Sequence, residues 1–227
     1  MANQIGVIIP AAGSGTRLGG VSKPLIEIDG RPAIIRLLAL FSGLREVSRI
    51  CVAVPKGNIQ QYSDVIMTEF PDNVDIVEGG TERPYSVRNA YHFLSSRISE
   101  DDLVCIHDAA RPLLAKGDLE RVINEAWRSG AAFLASRLKD TLKVADDDNF
   151  CVSTIDRSRV FGAQTPQVMK SAFLKRAYFE IENLSGLTDE IMLMERIGVK
   201  ARIVESQHPN FKVTTADDLQ LLKKLIS

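Results

Sequence analysis

Ile5-Gly6-Val7-Ile8-Ile9-Pro10-Ala11-Ala12-Gly13-Ser14-Gly15-Thr16-Arg17-Leu18-Gly19-Gly20-Val21-Ser22-Lys23-Pro24 decides how the rest of the chain is read. An apolar, β-branched run passes directly into a glycine-rich loop. Gly13 and Gly15 permit positive φ and a close backbone approach to an anion, so that successive N–H groups can point at phosphate oxygens. Arg17 and Lys23 add two positive charges to the same loop. Gly13-Ser14-Gly15 is half of a dinucleotide GxGxxG, but the sixth position is Leu18, and Gly19-Gly20 and Lys23-Pro24 interrupt the helix that should follow. The expectation is a loop that wraps its ligand. A P-loop is excluded because no Gly-Lys-Ser/Thr occurs. A purely structural turn is the competing reading, and the two cations weigh against it.

Outward from this loop, apolar runs at 50–54, 74–77, 103–106, 131–135 and 201–204 read as further strands, most of them apolar on both faces as buried parallel strands are. Residues 32–41, 59–70, 86–95, 118–128, 171–180 and 189–196 carry apolar side chains at helical spacing, with Pro32 and Asp118 as helix-start signals. Strand alternating with helix predicts right-handed crossovers and an α/β fold, a doubly wound, mostly parallel sheet of Rossmann-like type. Ligands of such sheets bind outside the carboxyl ends of the strands, so the chemistry is expected just after them. Residues 139–164 break the rhythm. There an acidic turn, Asp146-Asp147-Asp148-Asn149, separates β-like arms at 141–144 and 152–155. A projecting β-arm and an ordinary surface excursion both fit.

The bulk composition bounds the function. With 227 residues, 45% of them hydrophobic, the chain can bury a full core and reads as a single domain, 1–227. Its 28 basic and 29 acidic residues are spread along the length, leaving no basic tract to follow a nucleic-acid backbone. No apolar run approaches the ~20 residues needed to span a bilayer, and a strand beginning by Ile5 leaves no room for a secretory signal. A cytoplasmic protein with no membrane or nucleic-acid partner is expected. Cys51, Cys105 and Cys151 are odd in number and far apart, which suggests neither a disulfide framework nor a zinc site.

The loop at 10–25, PAAGSGTRLGGVSKPL, resembles the signature of the sugar-nucleotidyltransferase superfamily, whose loop wraps the triphosphate of an incoming nucleotide. GGTERPYSV at 79–87, HDAARP at 107–112, TPQ at 165–167, TDE at 188–190 and FKVTTADDL at 211–219 narrow the likeness. In order along essentially the whole chain, they resemble the 2-C-methyl-D-erythritol 4-phosphate cytidylyltransferase family of the non-mevalonate isoprenoid pathway. The resemblance implies CTP and a polyol phosphate as partners in the reaction, Mg²⁺ as divalent cofactor, and a homodimer in which the arm at 139–164 completes the neighbour's site.

Asp108 follows the run 103–106, which puts a carboxylate at a strand's carboxyl end, where a triphosphate-bound Mg²⁺ needs an oxygen ligand. The alternative is a capping aspartate paired with Arg111. His107 is adjacent, but alternation along the strand turns it away from Asp108, so a packed histidine is expected; His92 and His208 receive no role. By resemblance, Arg17, Lys23 and Lys212 are the cations around the reacting phosphorus. Ala11, Ala12, Gly13, Gly15, Gly80, Thr81, Ser86, Asp108 and Ala109 line the nucleotide, and Asp108 holds the metal. Thr141, Arg157, Thr165, Thr188 and Arg111 bind the acceptor, with Asp189 beside Thr188. Ser86 and Thr188 also read as helix N-caps. Two departures stand out: Thr81 occupies a position where many relatives carry an acidic residue, and Ser22-Lys23-Pro24-Leu25 stands where Pro-Lys-Gln is usual.

A ribitol-5-phosphate cytidylyltransferase shares the loop and fold and differs mainly in the polyol it accepts; HDAARP favours the methylerythritol enzyme. A non-catalytic binding domain on the same fold is a different class of reading. Arg17, Lys23, Asp108, Arg157 and Lys212 together argue against it, since a binding module has no need of cations around the α-phosphorus. A nicotinamide-dependent reductase is disfavoured by the broken GxGxxG.

Overall fold

A computed structural model describes residues 4–13 and 23–226, and of Lys23 only the backbone. Gly15 and Arg17 lie outside the described residues. In chain order the elements are β1 (Ile5–Pro10), β2 (Glu27–Ile28), β3 (Arg31–Pro32), α1 (Ala33–Ser42), β4 (Val47–Val54), α2 (Ile59–Ile66), β5 (Val74–Glu78), α3 (Arg83–Leu94) and β6 (Leu103–Ile106). There follow α4 (Lys116–Ser129), β7 (Ala131–Arg137), β8 (Leu142–Ala145), β9 (Cys151–Ile155), β10 (Phe161–Lys170), α5 (Ser171–Glu180), α6 (Glu190–Arg196), β11 (Arg202–Glu205) and α7 (Ala216–Ile226). Among the described residues, no helix is long and apolar enough to cross a membrane.

The central sheet runs β11-β7-β10-β6-β1-β4-β5. Strand alternation sorts its side chains into two layers: Ile5, Val7 and Ile9 of β1 pack on one face with Leu37 and Phe41 of α1 and Val122 of α4. Ile8 packs on the other face with Val87 and Leu94 of α3, Leu174 of α5 and Met194 of α6. Each fully buried Ile or Leu contributes about 1.5–3 kcal/mol against exposure, so covering both faces makes the apolar character of β1 necessary. From β1 the sheet grows through β4 and β5 on one side, and it then resumes with β6 on the other. Chain order reverses between β1 and β6, and the crevice beyond their carboxyl ends is the topological switch point.

The other sheet pairings are parallel, but β10 is antiparallel to both β6 and β7. This strand was not foreseen. It contains Pro166, which donates no ladder hydrogen bond, and its register shifts between Ala163 and Gln167, so it lacks the signature of a continuous buried strand. The expected excursion is correspondingly shorter, because 161–164 belong to the central sheet. Among the described residues β8 and β9 pair only with each other, as a separate ribbon closed by Asp146 Oδ1 accepting from the N–H groups of Asp148 and Phe150.

Helix bounds differ from expectation where caps decide them. α3 starts at Arg83, three residues before the expected Ser86, because Pro84 suits a first turn that has no use for its missing N–H. α2 stops at Ile66, short of the expected 70. Asp118 does not cap α4: it lies in the first turn, fully buried, and turns its carboxylate to the backbone of Gln207 and His208. Phe211–Thr214, which reads as strand-like, is an extended loop running into α7.

Candidate active site

β6 ends at Ile106, and the chain leaves the sheet at the switch point with His107 and Asp108. Both are buried, and they point to different neighbours, as alternation requires. His107 Nε2 lies 3.0 Å from the carbonyl oxygen of Arg111, which can only accept, so Nε2 carries the proton and Nδ1 accepts from Thr165 Oγ1 at 3.1 Å. Burial lowers the imidazole to about 4 and keeps it neutral. The Asp108 N–H donates to the same Thr165 hydroxyl at 3.0 Å. Thr165, 3% exposed, therefore fixes the end of β6.

Three cations surround the Asp108 carboxylate. Arg83 Nε donates to Oδ1 at 2.8 Å, Lys212 Nζ to Oδ2 at 3.0 Å, and Arg111 Nε stands 3.7 Å from Oδ2. Burial alone would raise the Asp108 carboxyl; the charges of Arg83 and Lys212 outweigh it and hold the group well below the usual carboxylate range. Arg83 also forks onto Glu190, Nη1 to Oε1 at 2.9 Å and Nη2 to Oε2 at 3.0 Å. Glu190 is 1% exposed; burial pushes its carboxyl up and Arg83 opposes the shift. Three cationic side chains thus face two carboxylates, a positive excess suited to a polyanion. Neither Arg83 nor Glu190 was singled out from the sequence. Pro84 in a first turn was the available signal, since it puts Arg83 at the head of a helix beside the switch point.

Arg111, expected to bind the acceptor, sends Nη1 to the carbonyl oxygen of Asn210 at 2.8 Å, and its buried Nε has no hydrogen-bond partner among the described residues. Asn210 in turn donates to the Thr165 carbonyl at 2.8 Å, so the loop carrying Lys212 is tied to the end of β6.

The nucleotide-side residues converge at the ends of β1 and β5. Ala11 is buried, its N–H bonded to the Ala53 carbonyl at 2.7 Å. A Cβ on Gly79 would lie 2.6 Å from Ala12 Cβ, and one on Gly80 would lie 2.4 Å from Tyr85 Cβ, so both strand ends approach as only glycine permits. Ser86 is not an N-cap: its hydroxyl donates to the Glu82 carbonyl at 3.1 Å and accepts the Gly80 N–H at 3.0 Å. Thr81 is exposed, Ala109 is buried beside Asp108, and Gly13 does not adopt the positive φ expected of it.

The residues expected on the acceptor side lie on separate elements. Thr188 is exposed at the entry to α6, whose N-cap is Asp189, accepting from the Met192 N–H at 3.0 Å. Thr141 and Arg157 are exposed at the ribbon, and the Arg157 guanidinium lies 3.5 Å from the Leu138 carbonyl oxygen. Among the described residues, no ion pair joins Arg157 to Asp108 or Glu190.

Comparison with known proteins bears on what this arrangement does. Residues 5–227 match the family described as 2-C-methyl-D-erythritol 4-phosphate cytidylyltransferase. A protein of that name from Endomicrobium trichonymphae is 35% identical over 220 residues, covering 96% of this chain and 97% of its own. One from Bacillus velezensis is 36% identical over 218 residues, covering 94% and 91%. Among solved structures, a 4-diphosphocytidyl-2C-methyl-D-erythritol synthase superposes with a TM-score of 0.83 at 29% identity, over 99% of this chain and 100% of that one. The Francisella tularensis cytidylyltransferase gives 0.81 at 28% identity, over 96% and 98%.

Proposed function

Since the chain belongs to the 2-C-methyl-D-erythritol 4-phosphate cytidylyltransferase family, we infer that it transfers CMP from CTP to 2-C-methyl-D-erythritol 4-phosphate, giving 4-diphosphocytidyl-2-C-methyl-D-erythritol and pyrophosphate. Asp108 carries the reading: a buried, ionised carboxylate at the switch point, ringed by Arg83, Arg111 and Lys212.

A phosphate oxygen of the acceptor attacks the α-phosphorus; one P–O bond forms and the bond to the β-phosphate bridge breaks. A phosphate monoester has a second pKa near ~6, so the nucleophile is already dianionic at neutral pH and needs no general base. His107, neutral and bonded through both nitrogens, accordingly moves no proton. Charge is the main task, and Arg17, Lys23 and Lys212 supply it around the crowded phosphorus. Ala11, Ala12, Gly80 and Thr81 line a small slot for cytosine, with Ser86 shaping it from behind. Arg157 binds the acceptor phosphate through its planar fork, with Thr141 beside it, and both come from a second subunit in a homodimer. Thr188 and Asp189 hold the polyol hydroxyls.

The residues present fit Mg²⁺. Arg83 takes both oxygens of Glu190 but only Oδ1 of Asp108, whose Oδ2 is shared with the exposed Lys212, so Asp108 would be the single carboxylate to hold Mg²⁺, an ion that commonly takes one or two carboxylates together with substrate phosphates. Bound with the nucleotide, it neutralises charge on the departing pyrophosphate.

The test is pyrophosphate release from CTP and Mg²⁺ with 2-C-methyl-D-erythritol 4-phosphate and, in parallel, ribitol 5-phosphate. Preference for the first is expected. Preference for ribitol 5-phosphate would keep the mechanism and change the acceptor, and silence with both would sink the activity.

A further inference from the structure

Arg83 has no task in the reaction just described, yet it joins the two halves of the site. Its Nε, Nη1 and Nη2 each meet a different carboxylate oxygen: Asp108 Oδ1 at 2.8 Å, Glu190 Oε1 at 2.9 Å and Glu190 Oε2 at 3.0 Å. A guanidinium is planar, so the paired contacts fix the plane of the Glu190 carboxylate, and the third contact sets which Asp108 oxygen faces Arg83. With Oδ1 held by Arg83, Oδ2 of Asp108 is the oxygen turned to Lys212, whose side chain is 42% exposed. The far end of the clamp is equally fixed. Glu190 is the first residue of α6, its N–H donates to Gln167 Oε1 at 2.9 Å, and Gln167 Nε2 donates to Asp189 Oδ2 at 3.0 Å. A shift of the α6 entry therefore drags Glu190, then Arg83, then Asp108.

We propose that Arg83, clamped by Glu190, is a positioning residue of the transfer: it couples the α6 entry, where the acceptor hydroxyls are held, to Asp108, where the triphosphate is held. This rests on the site reading given above. Arg83 acts through the two carboxylates and touches neither substrate. Lysine does not replace it, because one ammonium keeps the charge but cannot meet three oxygens in a plane.

The experiment compares Arg83→Lys and Glu190→Gln with the wild-type full chain. CTP affinity is measured by calorimetry with Mg²⁺ and no acceptor, acceptor KM and kcat in the steady state, and thermal unfolding separately. CTP Kd is expected to rise on the order of tenfold in both variants, although Glu190 belongs to the acceptor-side helix, a coupling of the size that packed networks carry. Acceptor KM should rise as well, and kcat should fall on the order of 10²-fold, as for a misplacement of about 1 Å. Variants that melt earlier but, well below their midpoints, keep wild-type CTP affinity and acceptor KM would reduce Arg83 to a structural cross-link and overturn the proposal. Full activity in Arg83→Lys would overturn it too. If Arg83→Lys does not fold, Glu190→Gln, which leaves Arg83 on Asp108, decides alone. A wild-type chain that binds CTP without turnover would refute the acceptor reading, while the calorimetric shift in the variants would still decide the coupling.

Discussion

Lys212 Nζ lies 3.0 Å from Asp108 Oδ2 across 104 positions of sequence, and the lysine is the exposed partner, 42% against 10%. Arg83 holds Asp108 from the other side, so the carboxylate remains paired when the lysine goes. Lys212→Met is expected to change stability by less than ~1 kcal/mol, because the lysine end of the pair is solvated and Arg83 still compensates Asp108. Turnover should fall on the order of 10²-fold, as it should for Arg17→Ala and Lys23→Ala. Pyrophosphate release beside a thermal melt checks this; a large melting shift with intact turnover would make Lys212 a structural residue.

Asp108→Ala is a harsher change. It leaves the Arg83 guanidinium half-compensated in a buried setting, and removing one partner of a buried pair costs about 3–5 kcal/mol. Loss of both stability and activity is expected in Asp108→Ala, read by denaturant unfolding and turnover. A variant as stable as the wild type would contradict the ion cluster described here.

Gly80→Ala tests the nucleotide slot. Its Cβ would sit 2.4 Å from Tyr85 Cβ and 3.0 Å from the Tyr85 carbonyl carbon, so the β5 end must move away from α3. Overpacking of this kind costs ~1–3 kcal/mol. CTP KM should rise more than acceptor KM, and an equal change in both would argue against a cytosine slot at this turn.

Asp118 gives the pH dependence. Burial opposes its charged form, but Arg121 and the N–H groups of Gln207 and His208 outweigh that and hold its carboxyl below the ordinary value. A depressed folded-state value means the stabilisation is complete above the unfolded value near ~3.9 and is lost as pH falls through the folded one. Asp118→Asn should be less stable than wild type at pH 7 by about 1.5–3 kcal/mol, the usual worth of hydrogen bonds to a charged group. The gap should close as the pH drops below about 4. Urea unfolding across pH 3–7 measures it, and a gap independent of pH would remove the carboxylate's charge from the explanation.

The ribbon predicts an assembly. Phe150 is 70% and Val152 59% exposed on a two-stranded element that pairs with no other strand among the described residues. Phe150→Asp with Val152→Asp should shift sedimentation from dimer to monomer. Turnover should fall with it, because Thr141 and Arg157 lie beside β8 and β9. A wild-type chain that is monomeric and active would end the shared-site reading.

Sequence alone determined the strand-helix alternation, the layered core and the places where chemistry follows a strand, because these rest on local periodicity and on the glycines and charges next to it. β1 shows this: a run apolar on both faces has to be covered on both faces, and the loop after it then opens at the sheet's carboxyl edge. Asp108 was legible for a related reason, as it follows the apolar run 103–106, whereas Lys212 was reached only through the family resemblance of its segment. Only tertiary structure decided what joins them. Arg83 and Glu190 are 107 positions apart, and no local pattern says that a helix-start arginine will fork onto a helix-start glutamate. β10 was hidden likewise, since its pairing between β6 and β7 is fixed by the chain returning from the ribbon and not by its own alternation. Thr165 was reached as a substrate contact only through the family resemblance, and its partners in the fold had no local signal. Folding buries it at the β6 end, where an unpaired Asp108 N–H would cost more than a free hydroxyl gains.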